Sequence, residues 1–126
     1  MVTAKQIRQI LWLSEVEDYN YTAADSYLRI IFSSEKVTQM ITKLRDTAIV
    51  DFKSKDIFRA SQLSLLGVSN SHVEYDRKKI IKGVSLSPLL LVRDKKNGKV
   101  VIADGYHRLC AIYEFDEDAV IRCKII

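Results

Sequence analysis

The sequence predicts an α+β fold: a small mixed β-sheet with an N-terminal helical extension. Three observations predict it. Residues 1–48 carry apolar side chains at helical spacing and contain no glycine or proline. Residues 89–92, 99–103 and 120–126 read instead as short strands. The helical and strand patterns also stand in separate blocks rather than in strict alternation, the mark of an α+β domain. The extension is set at residues 1–48 and the core at 49–126. Residues 46–52 hold no proline or glycine to serve as a linker, so one cooperative unit is expected.

Thr3 is the expected cap of a first helix with a stripe of Ile7, Ile10, Leu11 and Leu13. The polar, tyrosine-rich residues 15–21 read as a loop. Thr22 then caps a second helix carrying Tyr27, Leu28 and Ile31, and Ser34 a third carrying Val37, Met40, Ile41 and Leu44. Residues 49–52 form a β-like run, and 56–61 supply one or two helical turns. Residues 67–70 are a turn-rich break. A helix over 72–82 stops at Gly83. The runs 89–92 and 99–103 flank Asn97-Gly98, a dipeptide suited to positive φ, and so predict an antiparallel hairpin. A helix over 106–115, an acidic connection at 116–118 and a last strand at 120–126 complete the order.

The chain has 126 residues, 48% hydrophobic and 29% charged, which fits a globular domain and excludes a disordered one. No run nears the roughly 20 apolar residues of a membrane helix. Lys5 and Arg8 interrupt the N-terminal apolar pattern, so no signal peptide is expected and the protein is read as cytoplasmic. The net charge is +4. Residues 1–50 hold 6 basic and 6 acidic side chains, so the excess lies in the remainder. That suits a phosphate-bearing ligand, and equally a solvated surface. Cys110 and Cys123 stand in apolar sequence and read as buried thiols without a disulfide. Two cysteines and two histidines are a thin basis for zinc, so no metal site is assigned.

The functional signal concentrates where the 99–103 strand runs through Asp104-Gly105 into Tyr106-His107-Arg108. The first N–H groups of a helix have no intrahelical acceptors and, with the helix dipole, attract anions. Gly105 permits a sharp turn and close approach of a ligand. His107 and Arg108 add donors, the guanidinium with a fork that matches phosphate oxygens. Asp104 can cap the helix or face a metal ion or hydroxyl. A plain capped turn would account for the same residues.

Residues 104–111, Asp-Gly-Tyr-His-Arg-Leu-Cys-Ala, resemble the signature box of the ParB/sulfiredoxin-like superfamily. The helix, glycine and apolar strand over residues 80–92 resemble the segment that precedes that box. The likeness covers residues 49–126. It implies a sheet of ParB/sulfiredoxin type whose box binds nucleotide phosphates. Gly105 would make the turn, with Tyr106, His107 and Arg108 as ligand contacts. ATP or CTP with Mg²⁺ is the implied cofactor. Two departures stand out. Tyr106 occupies the position of the sulfiredoxin cysteine, which disfavours sulfinate repair. No helix-turn-helix pattern follows the core, which disfavours DNA recognition of the ParB kind.

Two functions stay open on these residues. One is an enzyme that hydrolyses a nucleotide or transfers its phosphoryl group, with Asp104 as the catalytic, metal-facing carboxylate. The other is a non-catalytic binding or regulatory module acting through a protein or nucleic-acid partner, or as a homodimer. Lys53 is carried as a ligand contact bordering the cleft, although a solvated loop is its ordinary reading. The basic face of Arg77, Lys78, Lys79 and Lys82 is the weak nucleic-acid signal. Glu74 and Asp76 are the nearest carboxylates for a general base, and nothing in their spacing selects either.

Overall fold

A computed structural model describes residues 10–67 and 70–126. The element order is α1 (Asp18–Ile31), α2 (Ser34–Asp46), β1 (Val50–Lys53), α3 (Ser54–Ser61), α4 (Ser71–Ile81), β2 (Leu89–Asp94), β3 (Lys99–Asp104), α5 (Tyr106–Phe115) and β4 (Val120–Ile125). The four strands form one mixed sheet in the order β1-β4-β2-β3. β2 pairs antiparallel with β3 and parallel with β4, and β1 closes the other edge antiparallel to β4. The α+β class with an N-terminal helical region is therefore correct.

The alternation of side chains along β2 explains the layering. Leu89 and Leu91 point to one face, where they meet Ile57 of α3, Val73 of α4 and Leu109 and Ile112 of α5. Leu90 and Val92 point to the other, where they meet Tyr21, Ala24 and Leu28 of α1 with Val37 and Leu44 of α2. A strand covered on both sides reads as an unbroken apolar run, as 89–92 does. Each fully buried leucine contributes about 2 kcal/mol of transfer free energy. The N-terminal helices thus cover a sheet face that would otherwise be wet.

The N-terminal region departs from expectation in three places. Of the helix expected from Thr3, the part up to residue 9 lies outside the described residues. Residues 10–13 are extended: Trp12 bridges Leu86, and the Leu13 N–H donates to the Leu86 carbonyl at 2.8 Å. Residues 18–21 are the start of α1, not a loop, and Thr22 is interior. Asp18 favours the helix start through the dipole, and the inward stripe runs Tyr21, Ala24, Leu28. That stripe leaves Tyr27 at 44% and Ile31 at 46% exposure. In α2 the cap is Ser33, one residue before the expected Ser34, and its Oγ accepts from the Lys36 N–H at 3.4 Å.

The C-terminal elements match the sequence reading closely. Gly83 and Gly98 hold positive φ angles of 72° and 64° at the end of α4 and in the hairpin. Cys110 and Cys123 are free and buried, and burial pushes the Cys123 thiol up to about 12. Among the described residues no helix is long and apolar enough to cross a membrane.

Candidate functional site

The junction between β3 and α5 is made by one residue. Gly105 adopts φ +110°, a conformation L side chains avoid. A Cβ there would sit 2.5 Å from Leu89 Cγ and 2.8 Å from Arg108 Nη2. Glycine is thus required by both angle and space. It is the N-cap of α5 and supplies no side-chain cap. The first intrahelical bond is Leu109 N–H to the Gly105 carbonyl, 3.0 Å. The N–H groups of Tyr106, His107 and Arg108 therefore have no acceptor within the helix.

Arg108 lies one turn from the last residue of β3. Its Nη2 donates to Asp104 Oδ2 at 3.1 Å, with side-chain exposures of 13% and 19%. Burial pushes the Asp104 carboxyl above its usual range, and the Arg108 guanidinium opposes that rise. Asp104 thus orients Arg108 while engaging only one of its donors. Arg108 Nε is buried and has no partner.

His107 and Arg108 open with Asp104 onto a polar cavity of about 240 Å³. The start of α1 forms a second wall with Glu17 and Asn20, and α4 a third with His72, Asp76 and Lys79. Ser87 also lines the cavity, and its Oγ accepts from the Glu17 N–H at 3.0 Å. The rings of His72 and His107 lie 4.9 Å apart. Burial, then the neighbouring His72, lowers the His107 imidazole below its ordinary 6.5. Burial raises the Asp76 carboxyl, against the pull of Arg108 and Lys79. Asn20 is 3% exposed, and its Oδ1 has no hydrogen-bond partner.

The structure brings together Asp104, His107 and Arg108, with Gly105 shaping the turn. It does not bring in Tyr106 or Lys53. Tyr106 packs against the apolar core and donates its hydroxyl to the Ser64 carbonyl, because the helix turns about 100° between it and His107. Lys53 ends an edge strand, 55% exposed, with Nζ 3.9 Å from Asp118. The cleft is bordered by α1 and α4 instead. Asp104, expected to face a metal ion or hydroxyl, instead faces the Arg108 guanidinium through Oδ2. Among the described residues no three His, Cys, Asp or Glu side chains form a metal-holding group. No resident metal is therefore assigned from the protein's own side chains, and no step is routed through one.

Sequence reasoning did not place the α1 and α4 residues at this site, although it named Asp76 as a general-base candidate and Lys79 in a basic face. His72, Asp76 and Lys79 stand at i, i+4 and i+7 on α4, a spacing that marks one helix face and could have been read. Asn20 could not, because its segment reads as a loop. A larger groove of about 430 Å³, floored by Phe52, Ile57, Leu91 and Ile125, shares no residue with the polar cavity. Asp56, Arg93, Asp94, Lys95 and Lys99 also line it, whereas both histidines and the mostly buried Asp104–Arg108 pair stand at the smaller cavity. No protein-family model, curated protein or solved structure matches the chain significantly.

Proposed function

We propose that this chain binds a phosphate-bearing ligand at the start of α5. The observation that carries the reading is the uncapped helix N-terminus beside Arg108, whose Nε has no partner. Backbone N–H groups and a guanidinium held by Asp104 form a preoriented anion acceptor. Gly105 makes the turn that brings the helix start and Arg108 to the cavity, its missing Cβ leaving room for Leu89 and the guanidinium. The resemblance of residues 104–111 to the ParB/sulfiredoxin-like box supports the same site and makes a nucleotide the first class to try. The cavity also contains Glu17 and Asp76, so specificity for phosphate over a generic anion would come from geometry rather than from net charge.

Catalysis is a second reading with its own support. His107 is lowered and Asp76 raised within one cavity, the pattern that separates acid and base roles. A neutral imidazole near neutral pH can accept a proton from water or a hydroxyl that attacks a bound phosphoryl group. The non-catalytic module binds the same ligand and leaves it unchanged. Calorimetric titration with ATP and CTP, with and without Mg²⁺, tests binding, and a phosphate-release assay on the same samples separates the two readings. Saturable binding lost in Arg108→Ala is the expected result. Unchanged binding in that variant would refute the site.

A further inference from the structure

Among the described residues, only three buried side-chain polar atoms have no hydrogen-bond partner: Asn20 Oδ1, Glu74 Oε2 and Arg108 Nε. Two of the three belong to residues that line the polar cavity. They have opposite character, since Arg108 Nε is a donor and Asn20 Oδ1 an acceptor. Asn20 comes from α1, outside the segment that resembles the ParB/sulfiredoxin-like superfamily. It sits beside Tyr21 and Ala24 in the buried stripe of α1, where an apolar side chain would satisfy packing without an orphaned polar atom.

We propose that Asn20 is a specificity residue that accepts a hydrogen bond from the organic part of the ligand, and that the ligand is a small phosphate ester carrying a hydroxyl or amine close to its phosphate. The inference rests on the phosphate-site reading above. The phosphate meets Arg108 and the α5 N-terminus, and the donor meets Asn20 across the cavity. The volume of about 240 Å³ lies below the usual range for drug-sized sites and accommodates a phosphoryl group with a fragment of a few carbons. A site built around a hydrogen bond to the ligand discriminates against the analogue that lacks the donor, because the buried acceptor then stays unpaired.

Glycerol 1-phosphate and n-propyl phosphate differ in the hydroxyls and little in size, so they form the test pair, with inorganic phosphate as reference and adenosine 5′-monophosphate as the nucleotide arm. The full chain should bind glycerol 1-phosphate about tenfold more tightly than propyl phosphate, the worth of one hydrogen bond. Asn20→Leu should lose that preference, keep its affinity for inorganic phosphate within about twofold, and melt at or above the wild-type temperature. Asn20→Ala removes the amide without adding bulk and serves if the leucine variant does not fold. Equal binding of the two esters by the wild type, or a preference that survives in the variants, overturns the role of Asn20 and leaves the phosphate site standing. Tighter binding of the nucleotide, unaffected by Asn20→Leu, overturns the small-ester assignment. No binding of inorganic phosphate or any ester overturns the phosphate site, and this inference with it.

Discussion

Arg108 and Asp104 face each other across the strand–helix junction, 3.1 Å apart and both mostly buried, and the pair leaves Arg108 Nε unsatisfied. An ion pair shielded from water is coupled, since removing one partner strands the other charge. A double-mutant cycle of Asp104→Ala and Arg108→Ala, read by urea unfolding, should give a coupling of about 1–3 kcal/mol. Coupling near zero would show that the contact does not orient the guanidinium.

Gly105 and Gly98 both have positive φ, yet their surroundings differ. An added Cβ at Gly98 meets nothing within 4 Å, whereas at Gly105 it meets Leu89 Cγ at 2.5 Å. Gly98→Ala should cost about 1 kcal/mol from backbone strain alone. Gly105→Ala should cost about 2–5 kcal/mol, because overpacking adds to the strain. Equal shifts in the two urea midpoints would contradict the crowding at the junction.

The lowered His107 makes stability pH-dependent in a definite direction. Its folded pKa lies below the unfolded 6.5, so the unfolded chain binds the proton first on acidification. Its contribution is fully present above 6.5 and is lost as pH falls from there through the folded value. Asp76 and Asp104 are raised from 3.8 and act oppositely: their contribution is present below 3.8 and is lost as pH rises through their folded values. His107→Gln should therefore flatten the fall in stability that begins near 6.5 on the acid side. Thermal melts across that range check it, and an identical pH profile for the variant would refute it. Binding of sulfate, which stays doubly charged across the range, should strengthen as His107 gains its proton.

The N-terminal helices supply the layer over Leu90, Val92, Val101 and Ala103. Deleting residues 1–48 bares that face and removes Asn20 and Glu17 from the cavity wall. The truncated chain should lose its cooperative melt. A truncation that melts at the full-length temperature would make the helices an independent appendage.

The C-terminal half was legible because its signals are local. Asn97-Gly98, Gly83 and the apolar runs of β2 and β3 each act within a few residues, and the junction at Asp104-Gly105 is read from one dipeptide. The N-terminal half was harder because tertiary contacts decide it. Residues 10–13 gain their extended form from pairing with Leu86, far along the chain. Residues 18–21 are helical because Tyr21 packs under the sheet, which no local cap announces. The site divides the same way. His107 and Arg108 carry a local motif, while Asn20, His72 and Asp76 meet them only through the packing of α1 and α4.

The central claim is that the start of α5 holds a phosphate group. Titrating inorganic phosphate into the ¹⁵N-labelled full chain and following backbone amide shifts tests it most directly. The largest, saturable shifts should fall on Gly105, Tyr106, His107 and Arg108, and Arg108→Ala should weaken the interaction about tenfold or more. Shifts spread instead over the basic face of Arg77, Lys78 and Lys82, or an affinity unchanged by Arg108→Ala, would contradict it.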